Sequence, residues 1–291
     1  MISICIPIYN YNADKLVRDL HVQAEKLGVD YEIVLLDDVS DDAYRQISRK
    51  LSELPNIVYA ENEKNIGLSR MRNRLSEMAK YPYLIFVDSD AVVINPDYLK
   101  NYIECCVSGV VCFGGCVYTK ERPSKEYILR WKFGKKREEG VGRYYSCFNF
   151  LIDAELIRKY PFSEDLKQYG YEDNLFGATL QHAGAKISYV DNPMLHPGLD
   201  TAEKYLHKIN LSISNLILIE PYLSEIGMDK SVRLLETYNK LKRTHLTGLY
   251  RASFKLLKKM CLSNLRGDNP YLFVLDFYKL GLLCTEKQKN K

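Results

Sequence analysis

With 291 residues, 46% of them apolar and 27% charged, the chain can bury a full α/β core and still carry a smaller appendage. No apolar run reaches the roughly 18–20 residues that span a bilayer; the longest, 271–284, is interrupted by Asp276 and Lys279, and Met1 leads into a strand-like run instead of a signal peptide, which predicts a cytoplasmic protein. The net charge of +4 conceals an asymmetry, because residues 1–200 hold 25 Lys and Arg against 29 Asp and Glu while residues 201–291 hold 16 against 8.

The predicted elements alternate between short apolar runs and helical periodicity, the pattern of a βαβ sheet. Residues 3–9 (SICIPIY) read as a buried strand. Over 14–27, Leu16, Val17, Leu20, Ala24 and Leu27 recur at helical spacing, and Gly28 supplies a stop. Residues 31–36 (YEIVLL) form a second strand with the near-continuous apolar run of a strand covered on both faces, followed by Asp37-Asp38. A short third strand at 57–60, a helix at 68–80 and a fourth strand at 83–87 (YLIFV) lead to Asp88-Ser89-Asp90. Further strands are predicted at 110–117, 147–152 and 186–190, with a helix at 172–183. The polar, basic stretch 120–143 between two of them reads as a functional flap or a disordered insert. Beyond about residue 201 the pattern is helical, over 209–222, 231–246 and 250–262, and the tail from Glu286 is predicted to be disordered. The expected organisation is a catalytic domain over 1–200 and a basic helical extension over 201–291.

In open α/β sheets ligands bind beyond the carboxyl ends of the strands. Here those ends carry Tyr9-Asn10, Asp37-Asp38 and Asp88-Ser89-Asp90, so three polar clusters converge on one sheet edge. Two carboxylates one residue apart after a strand can face one cation. Hard oxygen ligands suit Mg²⁺ or Mn²⁺, which keep phosphate oxygens as further ligands. The eight cysteines include no CxxC pair and no histidine at zinc-finger spacing, and most lie in apolar runs, so they read as reduced, structural thiols.

Five short motifs in order resemble the family-2 glycosyltransferases of the GT-A fold. They are Ile6-Pro7-Ile8-Tyr9-Asn10; Val34-Leu35-Leu36-Asp37-Asp38-Val39-Ser40-Asp41; Asn65-Ile66-Gly67-Leu68-Ser69-Arg70-Met71-Arg72-Asn73; Phe86-Val87-Asp88-Ser89-Asp90; and Tyr169-Gly170-Tyr171-Glu172-Asp173. The resemblance covers about residues 1–200. It departs at Val39, where the family usually has Gly, and at Met71, where it usually has Ala.

The resemblance implies a Rossmann-like, mixed, mostly parallel sheet flanked by helices. It also implies inverting transfer of a hexosyl or N-acetylhexosaminyl group from a UDP-sugar to a glycan or lipid-linked acceptor, as in surface polysaccharide synthesis. Pro7, Tyr9 and Asp37 or Asp38 would then contact base and ribose, although Asp38 and Asp41 equally suit a turn cap. Asn65, Gly67, Arg70 and Asn73 would serve an anionic ligand at a helix start. Asp88 and Ser89 would meet the donor, Asp88, Asp90 and His196 would hold the metal, and Asn149, in Cys147-Phe148-Asn149-Phe150, would border the donor sugar. Displacing a diphosphate from an anomeric carbon needs a base at the incoming hydroxyl, and the resemblance places it on Asp173, with Glu172 orienting hydroxyls. His21, His182, His207 and His245 sit in helical patterns and receive no role.

Competing classes fare worse. No G-x-G-x-x-G follows the first strand, and P-loop and G-x-S-x-G signatures are absent. A non-catalytic nucleotide or glycan binder would not need Asp88, Asp90 and Asp173 together. Nucleic-acid binding fits poorly, because the C-terminal lysines lack interleaved aromatic platforms. Arg251, Lys255, Lys258 and Lys259 share helix surface with Phe254, Leu256 and Leu257, which suits either an interfacial helix on anionic lipid or core capping and homodimer packing.

Overall fold

The computed structural model describes every residue except Val141, Arg143, Tyr144, Lys167, Asn290 and Lys291. Along the chain run β1 (Ile2–Ile8), α1 (Asp14–Leu27), β2 (Tyr31–Asp37), α2 (Asp42–Leu51), β3 (Ile57–Glu61), α3 (Leu68–Met78), β4 (Tyr83–Val87) and α4 (Tyr98–Ile103). Then come β5 (Val110–Phe113), β6 (Cys116–Val117), α5 (Ile128–Phe133), β7 (Asn149–Asp153), α6 (Ala154–Lys159), α7 (Glu172–His182), β8 (Lys186–Tyr189) and β9 (Met194–Leu195). Four helices complete the chain: α8 (Ala202–Glu225), α9 (Arg233–Arg243), α10 (Thr247–Leu265) and α11 (Leu272–Lys289).

Two compact units result. A sheet unit comprises Met1–Thr119, Glu138–Asp165 and Thr179–Gly198, and a helical unit comprises Lys120–Arg137, Leu166–Ala178 and Leu199–Lys291. The chain crosses between them for the last time at Gly198–Leu199. Two earlier segments, which hold the basic stretch and the start of α7, also belong to the helical unit.

In the sheet unit seven strands run in the order β3-β2-β1-β4-β7-β5-β8. The pairs β1–β2, β1–β4, β2–β3 and β5–β8 are parallel, and β7 is antiparallel to both its neighbours. Every residue of β1 and β2 is buried, as their unbroken apolar runs require of central strands.

Pro7 sets the shape of the carboxyl edge. Ile2 donates its N–H to Asp30 and Ile8 accepts from the Asp38 N–H, so even-numbered residues of β1 face β2. The missing N–H of Pro7 therefore falls on the β4 side. The β1–β4 ladder stops at Cys5–Phe86, whereas the β1–β2 ladder continues to Ile8–Asp37. Strand β1 connects to β2 on one side and lies against β4 on the other, so the ladder opens at the reversal of strand order where α/β sheets place ligands.

The helical unit is built on α8, whose Leu206, Ile213, Leu216 and Leu223 are buried with Leu275, Tyr278 and Leu283 of α11. The hairpin of α10 and α11 closes tightly at Gly281, where an added Cβ would collide with the Phe254 ring. Helix α11 extends to Lys289, which corrects the expectation of disorder from Glu286; Lys287 pairs with Glu220 and lies 5.2 Å from the Tyr238 ring centre.

Residues 120–137 of the basic stretch are ordered, which corrects the alternative of a disordered insert for this part. They fold into α5 and short turns, and their cations meet the α10–α11 connection. Arg122 donates to the Asp268 carbonyl at 2.5 Å, Lys132 to Asn269 Oδ1 at 2.7 Å, and Arg137 pairs with Asp276 at 2.7 Å. Val141 and Arg143 of that stretch lie outside the described residues. Among the described residues no helix is long and apolar enough to cross a membrane.

All eight cysteines are free thiols. Burial disfavours the thiolate and pushes Cys106 and Cys284 up to about 11 from an ordinary 9.0. At pH 8 both are expected to alkylate about a hundredfold more slowly than a free thiol, with the rate rising as pH rises; mass-resolved labelling checks this, and labelling at the free-thiol rate contradicts it. A second outcome concerns the hairpin: Gly281→Ala is expected to lower stability by about 1–3 kcal/mol in urea unfolding, because the Phe254 ring must move.

Candidate active site

The site is built at the carboxyl edge of the sheet unit, and its acids divide into two kinds. Asp38 follows β2 and is buried. Its Oδ1 accepts from Asn62 Nδ2 and from the Ile66 N–H, both at 2.9 Å, and its Oδ2 accepts from the Gly67 N–H at 3.0 Å. Asn65 Nδ2 donates to the Asp38 carbonyl at 3.2 Å. Asp38, Asn65 and Gly67 therefore form one knot that fixes the start of α3. Of the two roles open to Asp38, capping this turn is the one its bonds display. Gly67, at φ 80°, adopts the left-handed region that the knot requires.

Asp37 differs. It is fully buried at the last position of β2, and its Oδ1 accepts from the Ser40 N–H at 2.7 Å. Among the described residues its Oδ2 is buried with no hydrogen-bond partner. A carboxylate oxygen in that state is costly unless a donor completes it. Burial and the Asp37 charge together push the phenol of Tyr59 up, which places negative charge beside that ring. Tyr9 projects from the end of β1 and is exposed, while Pro7 is buried within the strand. The two strand ends are laced together: Asn10 donates its N–H to Ser40 Oγ at 2.8 Å and accepts at Oδ1 from the Asp41 N–H at 2.7 Å. Val39, inside this lacing, has φ 67°, a left-handed conformation that a β-branched residue rarely takes.

Asp88 and Ser89 open a tight turn after β4, closed by the Ala91 N–H on the Asp88 carbonyl at 3.0 Å. Asp88 Oδ1 accepts from Arg72 at 3.0 Å, and the same nitrogen reaches the Cys147 carbonyl at 2.9 Å. Arg72 is 2% exposed, and its guanidinium carbon lies 5.2 Å from the Phe162 ring centre. Sequence reasoning gave Arg72 no role. The signal was its register: Met71, Arg72, Leu75 and Ser76 share the buried face of α3, whereas Arg70 sits outside it in an exposed pair with Glu164 at 3.1 Å. Asn73 also serves the structure, exchanging bonds with the Phe162 backbone at 2.9 and 3.0 Å.

Asp90 and His196 come together, with Asp90 Oδ2 3.9 Å from His196 Nδ1. The imidazole is stacked between Phe148 at 4.7 Å and Tyr118 at 5.4 Å, and its backbone N–H bonds the Val117 carbonyl at 2.9 Å. Two ligands at about 2.1 Å from an octahedral ion lie about 3.0 Å apart when adjacent and about 4.2 Å when opposite; the observed 3.9 Å falls between the two, so a shared ion requires one side chain to shift. Among the described residues no three His, Cys, Asp or Glu side chains converge on one metal position. A carboxylate and an imidazole completed by phosphate oxygens is a set that Mg²⁺ and Mn²⁺ accept. Tyr11, also unassigned from sequence, borders this pair: burial and the Asp90 charge push its phenol up. Gly198 is needed there, because a Cβ would sit 2.7 Å from Asp90 Oδ2.

Asn149, expected to border the donor sugar, is bound within the sheet unit. It is fully buried, accepts at Oδ1 from Tyr98 at 2.5 Å and Tyr102 at 2.6 Å, and donates to the carbonyls of Gly115 and Asn192 at 3.2 and 2.9 Å. Its hydrogen-bonding capacity is used inside the protein.

Glu172 and Asp173 occupy the first turn of α7, in the part of that helix that belongs to the helical unit. The approach to them is strained, with Gly170 at φ 101° and Tyr171 at φ 69°. Buried Asn215 of α8 holds it, donating to the carbonyls of Gln168 at 2.8 Å and Gly170 at 2.9 Å. Tyr169 is half exposed, with Lys208 4.7 Å from its ring centre.

Known proteins match this chain in sequence and in fold. The model of the family described as "Glycosyl transferase family 2" matches residues 3–165. The chain is 32% identical to the chondroitin synthase of Escherichia coli over 304 residues, covering 88% of this chain and 43% of that one. The fold resembles a mannosyltransferase from Pyrobaculum calidifontis solved with GDP-Man and Mn²⁺, at TM-score 0.58 and 14% identity over 100% of this chain and 87% of that one. It also resembles residues 1–349 of Staphylococcus aureus TarS solved with UDP, at TM-score 0.51 and 18% identity over 100% and 92%. Among curated relatives the chain spans 58% of Bacillus subtilis EpsH and less than half of the synthase.

Arg72→Met is expected to cost about 1.5–3 kcal/mol, the range for a hydrogen bond to a charged group, and to free the Asp88 turn. Urea unfolding measures the loss; an unchanged midpoint would remove Arg72 from this account.

Proposed function

This chain belongs to glycosyl transferase family 2, and on that premise we propose that it moves a hexosyl or N-acetylhexosaminyl group from a UDP-sugar to a glycan or lipid-linked acceptor, with inversion. The observation that carries the reading is the pair of acids flanking β1. Asp37 presents a buried, unsatisfied acceptor at the end of β2, and Asp90 stands with His196 beyond the end of β4.

A buried carboxylate acceptor matches the N–H of a uracil ring, and exposed Tyr9 offers a face beside the end of β1. A guanine ring also offers an N–H, so the base is a matter for direct test. Asp90 and His196 would hold a Mn²⁺ or Mg²⁺ ion, which supplies charge neutralisation for a diphosphate leaving group. Arg72 keeps Asp88 oriented in the turn between them. In the transfer itself, the acceptor hydroxyl oxygen forms a bond to the anomeric carbon and the bond from that carbon to the diphosphate oxygen breaks. The hydroxyl proton passes to the Asp173 carboxylate, and the nucleoside diphosphate departs with the electron pair. Glu172 orients hydroxyls beside the base. One displacement with one base gives inversion. The likeness to a chondroitin synthase supports a glycan acceptor and a place in polysaccharide assembly.

The test is a screen of UDP- and GDP-sugars with and without Mn²⁺, read as nucleotide release and as thermal shift. Asp173→Asn is expected to keep nucleotide binding and to lose transfer by about 10²–10⁴-fold, the usual worth of a general base. Asp90→Asn is expected to lose the metal-dependent part of donor binding. Wild-type turnover in both variants would refute the assignment.

A further inference from the structure

We propose that the outer face of α10 docks on an anionic lipid surface. The helix has two apolar faces. Phe254, Cys261 and Leu265 are buried in the helical unit and account for its packing there. Leu249, Ala252, Leu256 and Met260 recur at spacings of three and four, which puts them on one line of the opposite surface. Leu249 is 67% exposed, Leu256 80% and Met260 69%. The fold of this unit does not use that stripe, and a contiguous apolar line kept in water marks an interaction surface.

Its charge selects the occupant. Lys255 and Lys259, one turn apart, run along one edge of the stripe, whereas Lys258 lies on the far side of the helix, 5.9 Å from the ring centre of buried Phe254. Lys242 and Arg243 stand at the end of α9, directly before exposed Leu246 and the start of α10. Lys240 is neutralised by Glu236 at 2.7 Å, whereas among the described residues these other five cations form no ion pair. The face carries no acid: Thr247–Leu265 contains neither Asp nor Glu. Apolar side chains entering the acyl boundary with lysines level with anionic headgroups match this pattern. A second copy of the chain fits less well, because a two-fold contact along the stripe brings both lysine rows to one interface with no acid to offset them.

The experiment is flotation of the full chain with vesicles of phosphatidylcholine alone and of phosphatidylcholine mixed with phosphatidylglycerol. Binding is read without turnover, so its outcome is separate from that of the transfer reading. The bound fraction is expected to rise about tenfold or more with anionic lipid and to fall again as salt is raised. Leu256→Glu with Met260→Glu, and separately Lys255→Glu with Lys259→Glu, are expected to abolish the gain while leaving the thermal transition in place. Absent binding, equal binding to both vesicle types, or binding that survives both double variants overturns the proposal. So does light scattering that finds a dimer which Leu256→Glu dissociates.

Discussion

The carboxyl edge of the sheet depends on where β1 stops pairing with β4. A proline in a central strand is tolerated only where its absent N–H has no ladder to serve, and in β1 that side faces β4. The two strands part after Cys5 while β1 and β2 remain zipped to Asp37. A tertiary amide nitrogen thus stands in place of an N–H where the sheet opens between β1 and the Asp88 turn.

Around that opening the acids have separate work. Asp38 and Asp88 are bound into the scaffold, one by two backbone N–H groups and an asparagine, the other by a buried arginine. Their bonds hold the loop before α3 and the turn after β4, which carry no regular structure of their own. Asp37 and Asp90 differ from these: among the described residues Asp37 keeps a buried oxygen without a hydrogen-bond donor, and Asp90 approaches an imidazole stacked between Phe148 and Tyr118.

Much of the sheet was legible because central strands advertise burial on both faces; β1, β2 and β4 and helix α1 lie within a residue or two of their predicted bounds. Pattern alone could not tell which of two adjacent acids faces inward into structure, since Asp37 and Asp38 differ by one step of a strand whose far end is irregular. Asn149 illustrates the same difficulty: an amide inside a strand gives no sign in the sequence of its partners, and here two tyrosines from α4 donate to it. The left-handed turn at Val39 was hidden because a valine gives no sign of positive φ. The helical unit was the least legible. Its core draws on three separated stretches, so the basic stretch 120–137 shows no periodicity of its own until its cations meet Asp268, Asn269 and Asp276.

The central claim is that Asp90 and His196 form the protein's half of a divalent-cation site that receives a diphosphate. Anomalous diffraction at the manganese edge, from crystals grown with Mn²⁺ and UDP, reads this position directly. A single peak at about 2.1 Å from an Asp90 oxygen and from His196 Nδ1, with diphosphate oxygens completing the shell, is the predicted result. A peak held without Asp90 and His196, or UDP bound away from the gap between β1 and β4, would contradict it.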